Sequence, residues 1–121
     1  MIDITSEVEK LVPSNLKAGI CQIYSTHTTA GITINENADP DVRHDITGAL
    51  DEMVSWDNPL FRHGEGNSAA HIKASMVGFS QCVPIADGRL CLGTWQGLYF
   101  CEFDGPRNRN VIVNIISSSI S

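Results

Sequence analysis

A chain of 121 residues, 42% hydrophobic and 18% charged, has the composition of one globular domain (1–121), large enough to bury a core without disulfide or metal staples. Its net charge of −6 argues against a general affinity for nucleic acid, which needs basic surface to displace counterions. No apolar run approaches the roughly 18 residues of a membrane span, and Met1-Ile2-Asp3-Ile4-Thr5 lacks the basic end and apolar stretch of a signal peptide, so a cytoplasmic protein with neither membrane nor nucleic-acid partner is expected.

Ser6-x-x-Glu9 reads as a capping box, and Ile4, Val8, Leu11 and Val12 follow a helical period, so a short helix opens the chain and ends at Pro13-Ser14-Asn15. Ala18–Ser25 and Gly31–Asn35 read as strands with a turn around His27 between them. If these strands pair, His27 lies near Asn35-Glu36-Asn37. Asp39-Pro40 starts a second helix, with aspartate as N-cap and proline at the first helical position. Val42, Ile46, Leu50, Met53 and Val54 form its apolar stripe, to about Ser55. Trp56–Asn67 is a loop rich in Pro, Gly and Asn. Ser68 is placed as the cap of a third helix, Ala69–Val77, ended by Gly78.

The remainder is β. Phe79–Ile85 and Arg89–Gly93 flank Ala86-Asp87-Gly88, whose Asp-Gly is the strongest hairpin signal in the chain. Leu98–Phe103 returns, Gly105-Pro106 turns, and Asn110–Ile116 is a last apolar strand. Strands and helices segregated in runs predict an α+β fold with antiparallel sheet and about three helices. The four cysteines, Cys21, Cys82, Cys91 and Cys101, form no Cys-x-x-Cys pair. They are expected to be reduced, buried thiols, with Cys91 and Cys101 facing each other across a hairpin.

The polar chemistry is concentrated in a few short segments. His27 opens His27-Thr28-Thr29-Ala30-Gly31. His63 and His71 bracket a loop containing Gly64, Glu65, Gly66 and Asn67, and His71 falls in the first turn of the third helix, whose dipole suits an anion. Imidazole ligates metals and moves protons near neutral pH. His27, His63 and His71 are therefore candidates for a three-histidine metal site with an open position, although the spacing follows no established zinc motif. Glu36 and Glu65 are candidate bases or ligands. Thr28, Asn35, Asn67, Thr94 and Gln96 are candidate substrate contacts. Lys73 is either a solvated helix charge or a phosphate partner beside His71. Arg107-Asn108-Arg109 is too small for a duplex track but suits one phosphate or carboxylate. His44, flanked by Arg43 and Asp45 in mid-helix, reads as a surface residue.

Together, His27-Thr28-Thr29-Ala30, Asn35-Glu36-Asn37 with Asp39-Pro40-Asp41, Glu65-Gly66-Asn67, Ala70-His71-Ile72-Lys73, and Gly93-Thr94-Trp95-Gln96-Gly97 followed by Glu102-Phe103-Asp104-Gly105-Pro106-Arg107 resemble the YjbQ-like family, also called UPF0047. The likeness runs from about Ile2 to Ile116. It implies a compact fold with a β-sandwich-like core, a homotrimer with sites near subunit boundaries, and a further strand ahead of the segment matching Ile2–Thr5. It also implies a site at His27, His63 and His71, with Glu65, Asn67, Lys73 and Gln96 matching too. The family is often labelled a secondary thiamine-phosphate synthase. That implies an enzyme joining a pyrimidine-methyl diphosphate to a thiazole phosphate, usually with Mg²⁺. The residues themselves leave two alternatives open. One is a metal-dependent hydrolase or lyase acting on a small anionic substrate, with Zn²⁺ or a similar ion suiting the histidines. The other is a non-catalytic trimer that binds a small anion.

Overall fold

The computed structural model describes residues 1–118 and has the expected α+β architecture, with three helices and two antiparallel sheets. In chain order the elements are β1 (Ile2–Asp3), α1 (Thr5–Glu9), β2 (Ala18–Ser25), β3 (Ala30–Glu36), α2 (Pro40–Met53), α3 (Ser68–Val77), β4 (Ser80–Ala86), β5 (Arg89–Leu90), β6 (Gln96–Glu102) and β7 (Val111–Ser117). One sheet has the order β1-β6-β3 and the other β5-β4-β2-β7. Among the described residues no helix is long and apolar enough to cross a membrane.

The core lies between the sheets. Alternation along β2 turns Cys21 and Ile23 inward, where they meet Val83 and Ile85 of β4, Ala30 and Ile32 of β3, and Leu98 and Phe100 of β6. Val8 and Val12, in and just after α1, close one end. The three-stranded sheet is also covered on its other side. The Ile32 N–H donates to the Gly78 carbonyl at 3.0 Å, and α3 lies so close to β3 that a Cβ at Gly31 would stand 2.5 Å from that oxygen. Arg43 of α2 stacks over the Tyr99 ring at 5.8 Å.

The hairpin turn is as predicted. Asp87 (φ 50°) and Gly88 (φ 74°) both adopt the left-handed conformation that a tight primed turn needs. Asp39 caps α2 as predicted, its carboxylate accepting from the Asp41 N–H at 2.9 Å. Two other caps differ from expectation. Ser6 lies within α1, and the Asp3 carboxylate accepts from the Thr5 N–H and hydroxyl instead (2.9 and 2.6 Å), while Glu9 turns to the Leu90 N–H. At α3 the N-cap is Asn67 rather than Ser68.

The larger correction concerns β2 and β3, which do not pair. β2 pairs with β4 and β7, and β3 pairs with β6, so the His27 turn carries the chain from one sheet to the other. His27 is therefore at one end of β3 and Asn35-Glu36 at the opposite end, about 20 Å away by strand rise. The predicted β5 shrinks to Arg89–Leu90, so Cys91 falls just past it beside β4, whereas Cys101 is in β6 of the other sheet, and the two share no hairpin. Cys21 and Cys101 are buried free thiols, but Cys82 and Cys91 are exposed. Cys82 stands at an outward position of β4, and Cys91 follows the edge strand β5.

Candidate functional site

Three segments meet beside the β2–β3 crossing. The turn Thr26–Thr29 is fastened at both ends. Buried Ser25 donates its hydroxyl to the Ala30 carbonyl (2.8 Å) and accepts the His27 N–H (3.3 Å). The Thr26 hydroxyl reaches the Asn110 carbonyl, and the Asn110 N–H donates to His27 Nε2 at 2.7 Å. The segment after β6 thus holds the histidine turn from across the chain.

The same segment supplies two arginines. Arg109 forms a two-pronged ion pair with Glu102 at the end of β6 and also donates to the Thr29 hydroxyl at 2.8 Å. Arg107 donates to the carboxylate and carbonyl of Asp104 (2.8 and 2.9 Å). Asp104 in turn accepts from Asn67 Nδ2 at 2.8 Å, which fixes the start of α3 to the arginine segment. The hydrogen bonds from Arg109 hold the Glu102 carboxyl below its ordinary pKa against the opposing effect of burial, and raise that of Arg109. The Asn67 amide, and after it Arg107, likewise hold the Asp104 carboxyl below its usual range.

These elements enclose a cavity of about 420 Å³ lined by Thr26, His27, Thr28, Thr29, His63, Glu65, Asn67, His71, Arg107 and Arg109. The loop ahead of α3 delivers His63 and Glu65, helped by Gly66 in a left-handed conformation (φ 73°). The His63 and His71 rings meet edge to face with centroids 5.5 Å apart. Six of the predicted residues, His27, Thr28, His63, Glu65, Asn67 and His71, thus line one pocket.

The remaining predicted residues lie elsewhere in the chain. Lys73 is buried in an ion pair with Asp51, beside the Phe103 ring, and so ties α3 to α2. Asn35, Glu36, Thr94 and Gln96 are at the far end of the three-stranded sheet, where Glu36 pairs in register with Gln96. There the Asn35 side chain accepts the Glu36 N–H and the Gln96 side chain accepts the Gly93 N–H. The sequence places Thr29 in the His27 motif without a role, and it does not group the arginines with the histidines. Arg107 and Arg109 carried an anion-binding signal, but nothing in their spacing tied them to His27.

Among the described residues no three His, Cys, Asp or Glu side chains stand together in metal-holding geometry. The His27 bond explains part of this. A main-chain N–H can only donate, so the Nε2 lone pair is engaged and the ring proton sits on Nδ1. A three-imidazole site does not fit that arrangement. His63 and His71 carry no such restriction.

Comparison with known proteins agrees with this fold. A match to the family described as UPF0047 protein YjbQ-like spans residues 1–118. The chain belongs to that family. It is 57% identical to the UPF0047 protein YugU of Bacillus subtilis, over 96% of this chain and 89% of that protein. It is 54% identical to a UPF0047 protein of Methanocaldococcus jannaschii, over 96% and 84%. The crystal structure of an uncharacterized YjbQ/UPF0047 protein from Clostridium acetobutylicum superposes with a TM-score of 0.91 at 56% identity, covering 95% of this chain and 89% of that one. A conserved hypothetical protein from Thermus thermophilus gives 0.89 at 40% identity, covering 95% and 90%.

Proposed function

We propose that this protein is a cytoplasmic small-molecule enzyme whose substrate carries a phosphate or comparable anionic group, and that its chemistry takes place in the His27–His63–His71 pocket. The observation that carries this reading is the meeting of three imidazoles, Glu65, Asn67 and two guanidinium groups on one cavity from three separate segments. Such a set can hold an anion through N–H donors and move a proton through imidazole or carboxylate. His27 and Glu65 are the candidate proton-handling groups, with Thr28 and Asn67 as substrate contacts. Joining a pyrimidine-methyl diphosphate to a thiazole phosphate is the first reaction to test, since both reactants are phosphorylated and diphosphate leaves. A direct assay of diphosphate release, run beside calorimetric titration with inorganic phosphate, is the test. Binding without turnover would favour the non-catalytic anion binder, and no binding at all would remove the proposal.

A second reading is a metal-assisted hydrolase or lyase, favoured by the edge contact of His63 with His71 beside Glu65. A divalent ion there, Zn²⁺ or similar, would polarise a phosphoryl or carbonyl oxygen. Mg²⁺ is the expected ion if the substrate is a diphosphate. Metal content of protein purified without a histidine tag separates this reading from the first.

We also propose a homotrimer. On the outer face of the four-stranded sheet, Ile20 pairs in register with Ile116 and Tyr24 with Ile112, and all four are more than 40% exposed. The Gln22–Asn114 pair lies between them, and exposed apolar pairs of this kind are covered in most stable proteins. Sedimentation at micromolar concentration should give three times the monomer mass.

A further inference from the structure

Resting on the reading of the pocket as an anion site, we infer that His27 is its fixed, neutral hydrogen-bond donor. The ring holds an anionic oxygen of the ligand through Nδ1–H and takes no part in proton transfer. Of the two groups named above for proton handling, that leaves Glu65, an exposed carboxylate on the loop ahead of α3.

A neutral imidazole has one N–H and one lone pair to offer. His27 places its lone pair at Nε2, where the Asn110 N–H donates at 2.7 Å. That donor belongs to the main chain and cannot turn to another acceptor. Its position is fixed as well. The Thr26 hydroxyl donates to the Asn110 carbonyl, and the adjoining Arg109 is clamped to Glu102 and Thr29. On the other side, the Ser25 hydroxyl accepts the N–H of His27 itself. A proton on Nε2, in the other tautomer or in an imidazolium, would face the Asn110 N–H with no acceptor between them. Nε2 is therefore closed as a base, and Nδ1 already carries the one proton of the neutral ring.

The Nδ1–H is free for a ligand. It has no protein acceptor among the described residues, and it is not sealed, because the one sealed and unpartnered side-chain polar atom among them is Asn67 Oδ1. His27 lines the cavity and Asn110 does not, so the tethered nitrogen is turned to the protein and the other is left for the pocket. A donor fixed before the ligand arrives needs no reorganisation to meet negative charge. Neutral imidazole suits that task, since it polarises an oxygen without surrendering a proton to it.

Two measurements on the full-length protein at neutral pH test the assignment. Heteronuclear NMR of the imidazole nitrogens should find the proton of His27 on Nδ1 and a bare Nε2, both before and after saturation with inorganic phosphate. The Nδ1 signal should move on binding. The His27 signals are identified by their loss in His27→Asn. Calorimetric titration with phosphate then separates two amide replacements. His27→Asn can set an amide N–H near the place of Nδ1 but leaves Asn110 without an acceptor. His27→Gln can reach Asn110 with its longer side chain but offers no donor at the place of Nδ1. His27→Asn should keep phosphate affinity within about threefold, whereas His27→Gln and His27→Ala should lose about tenfold or more, with thermal melting as the check on folding. A role confined to tethering the turn would reverse that order, the glutamine variant binding and the asparagine variant failing. That result would overturn the inference, as would a proton on Nε2 in the phosphate-bound protein, and either would leave the anion site standing. Failure of phosphate to bind the unmodified protein would remove the anion reading and this assignment together.

Discussion

β3 and β6 run side by side for seven residues, and their two ends are built on different principles. At the Ala30–Glu102 end, side chains are held by partners from remote parts of the chain. Arg109 reaches Thr29 across 80 positions, the Asn110 N–H reaches His27 across 83, and Asn67 reaches Asp104 across 37. At the Glu36–Gln96 end the side chains of Asn35 and Gln96 bond only to their near neighbours. Asn35 accepts from its neighbour, Gln96 accepts from three residues back, and Trp95 stands 63% exposed. Both ends are rich in the same polar residue types. Only the first has its side chains fixed by elements that cannot move independently, which is what a preorganised site requires. Density of polar residues does not by itself make a pocket.

Breaking the clamp at the first end should have the largest effect. Arg109→Ala strands the Glu102 carboxylate, whose side chain is 18% exposed, and frees Thr29. Loss of a charge-assisted, largely buried pair costs about 2–3 kcal/mol. Urea denaturation should register that loss, and phosphate binding should fall with it. The same carboxylates set an acid limit. The folded-state pKa values of Glu102 and Asp104 are lowered, so their contribution is fully present above the unfolded values of about 4. It is lost as pH falls through the lower folded values. Glu102→Gln should flatten the fall in stability below about pH 4. An unchanged acid profile would show that the pair contributes nothing.

The pocket histidines come next. His27→Ala, His63→Ala and His71→Ala should each weaken phosphate binding or activity by about tenfold. Melting temperature should change little for His63, which is exposed. His44, exposed on α2 beside Asp45, is the control and should do almost nothing. Equal effects from all four would mean that the pocket has no special role.

Much of this pocket was legible in the sequence, and the reason is chemical. Histidines beside Gly64 and Gly66, or in a Thr-rich turn, have no packing role to explain them. The helix starting near Ser68 and the Asp-Gly hairpin were equally plain. The sheet assignment of β3 was not. A strand that pairs with its predecessor and one that crosses to a second sheet show the same apolar pattern, because alternation reports which face is buried and not which neighbour is bonded. That ambiguity put Asn35 and Glu36 beside His27. It also hid the partnership of the histidines with Arg107 and Arg109, which depends on contacts more than 80 residues apart in the case of Asn110 with His27.

The thiols test the same sheet assignment at smaller energetic stake. Because β6 lies inside the three-stranded sheet, Cys101 is 1% exposed, and burial pushes its thiol up to about 11. Burial raises that of Cys21 as well. Cys82 and Cys91 are exposed. Only thiolate reacts quickly with disulfide reagents, so native protein should label fast at Cys91 and slowly at Cys21 and Cys101, with Cys82, opposite Gln22 on the face the proposed trimer covers, fast only in the dissociated chain, and all four fast in denaturant. A slow Cys91 in native protein would mean that its exposed position is covered by another copy of the chain.

The smallest effect is expected from Glu36→Ala and Gln96→Ala at the far end of the sheet, and it is the most discriminating. Within one chain these side chains lie about 20 Å from the pocket by strand rise. Truncating Glu36 leaves its main-chain carbonyl in place to accept from the Tyr99 hydroxyl at 3.0 Å. Truncating Gln96 removes one exposed bond to the Gly93 N–H, worth about 1 kcal/mol or less. Phosphate affinity should therefore stay within about twofold of the unmodified protein in both variants. A loss of tenfold or more could not travel along a strand whose ladder is intact. It would mean that this rim reaches the pocket of a neighbouring copy in the proposed trimer. Affinity in the unmodified protein would then fall on dilution below the assembly threshold, whereas a pocket complete within one chain would keep its affinity at every concentration.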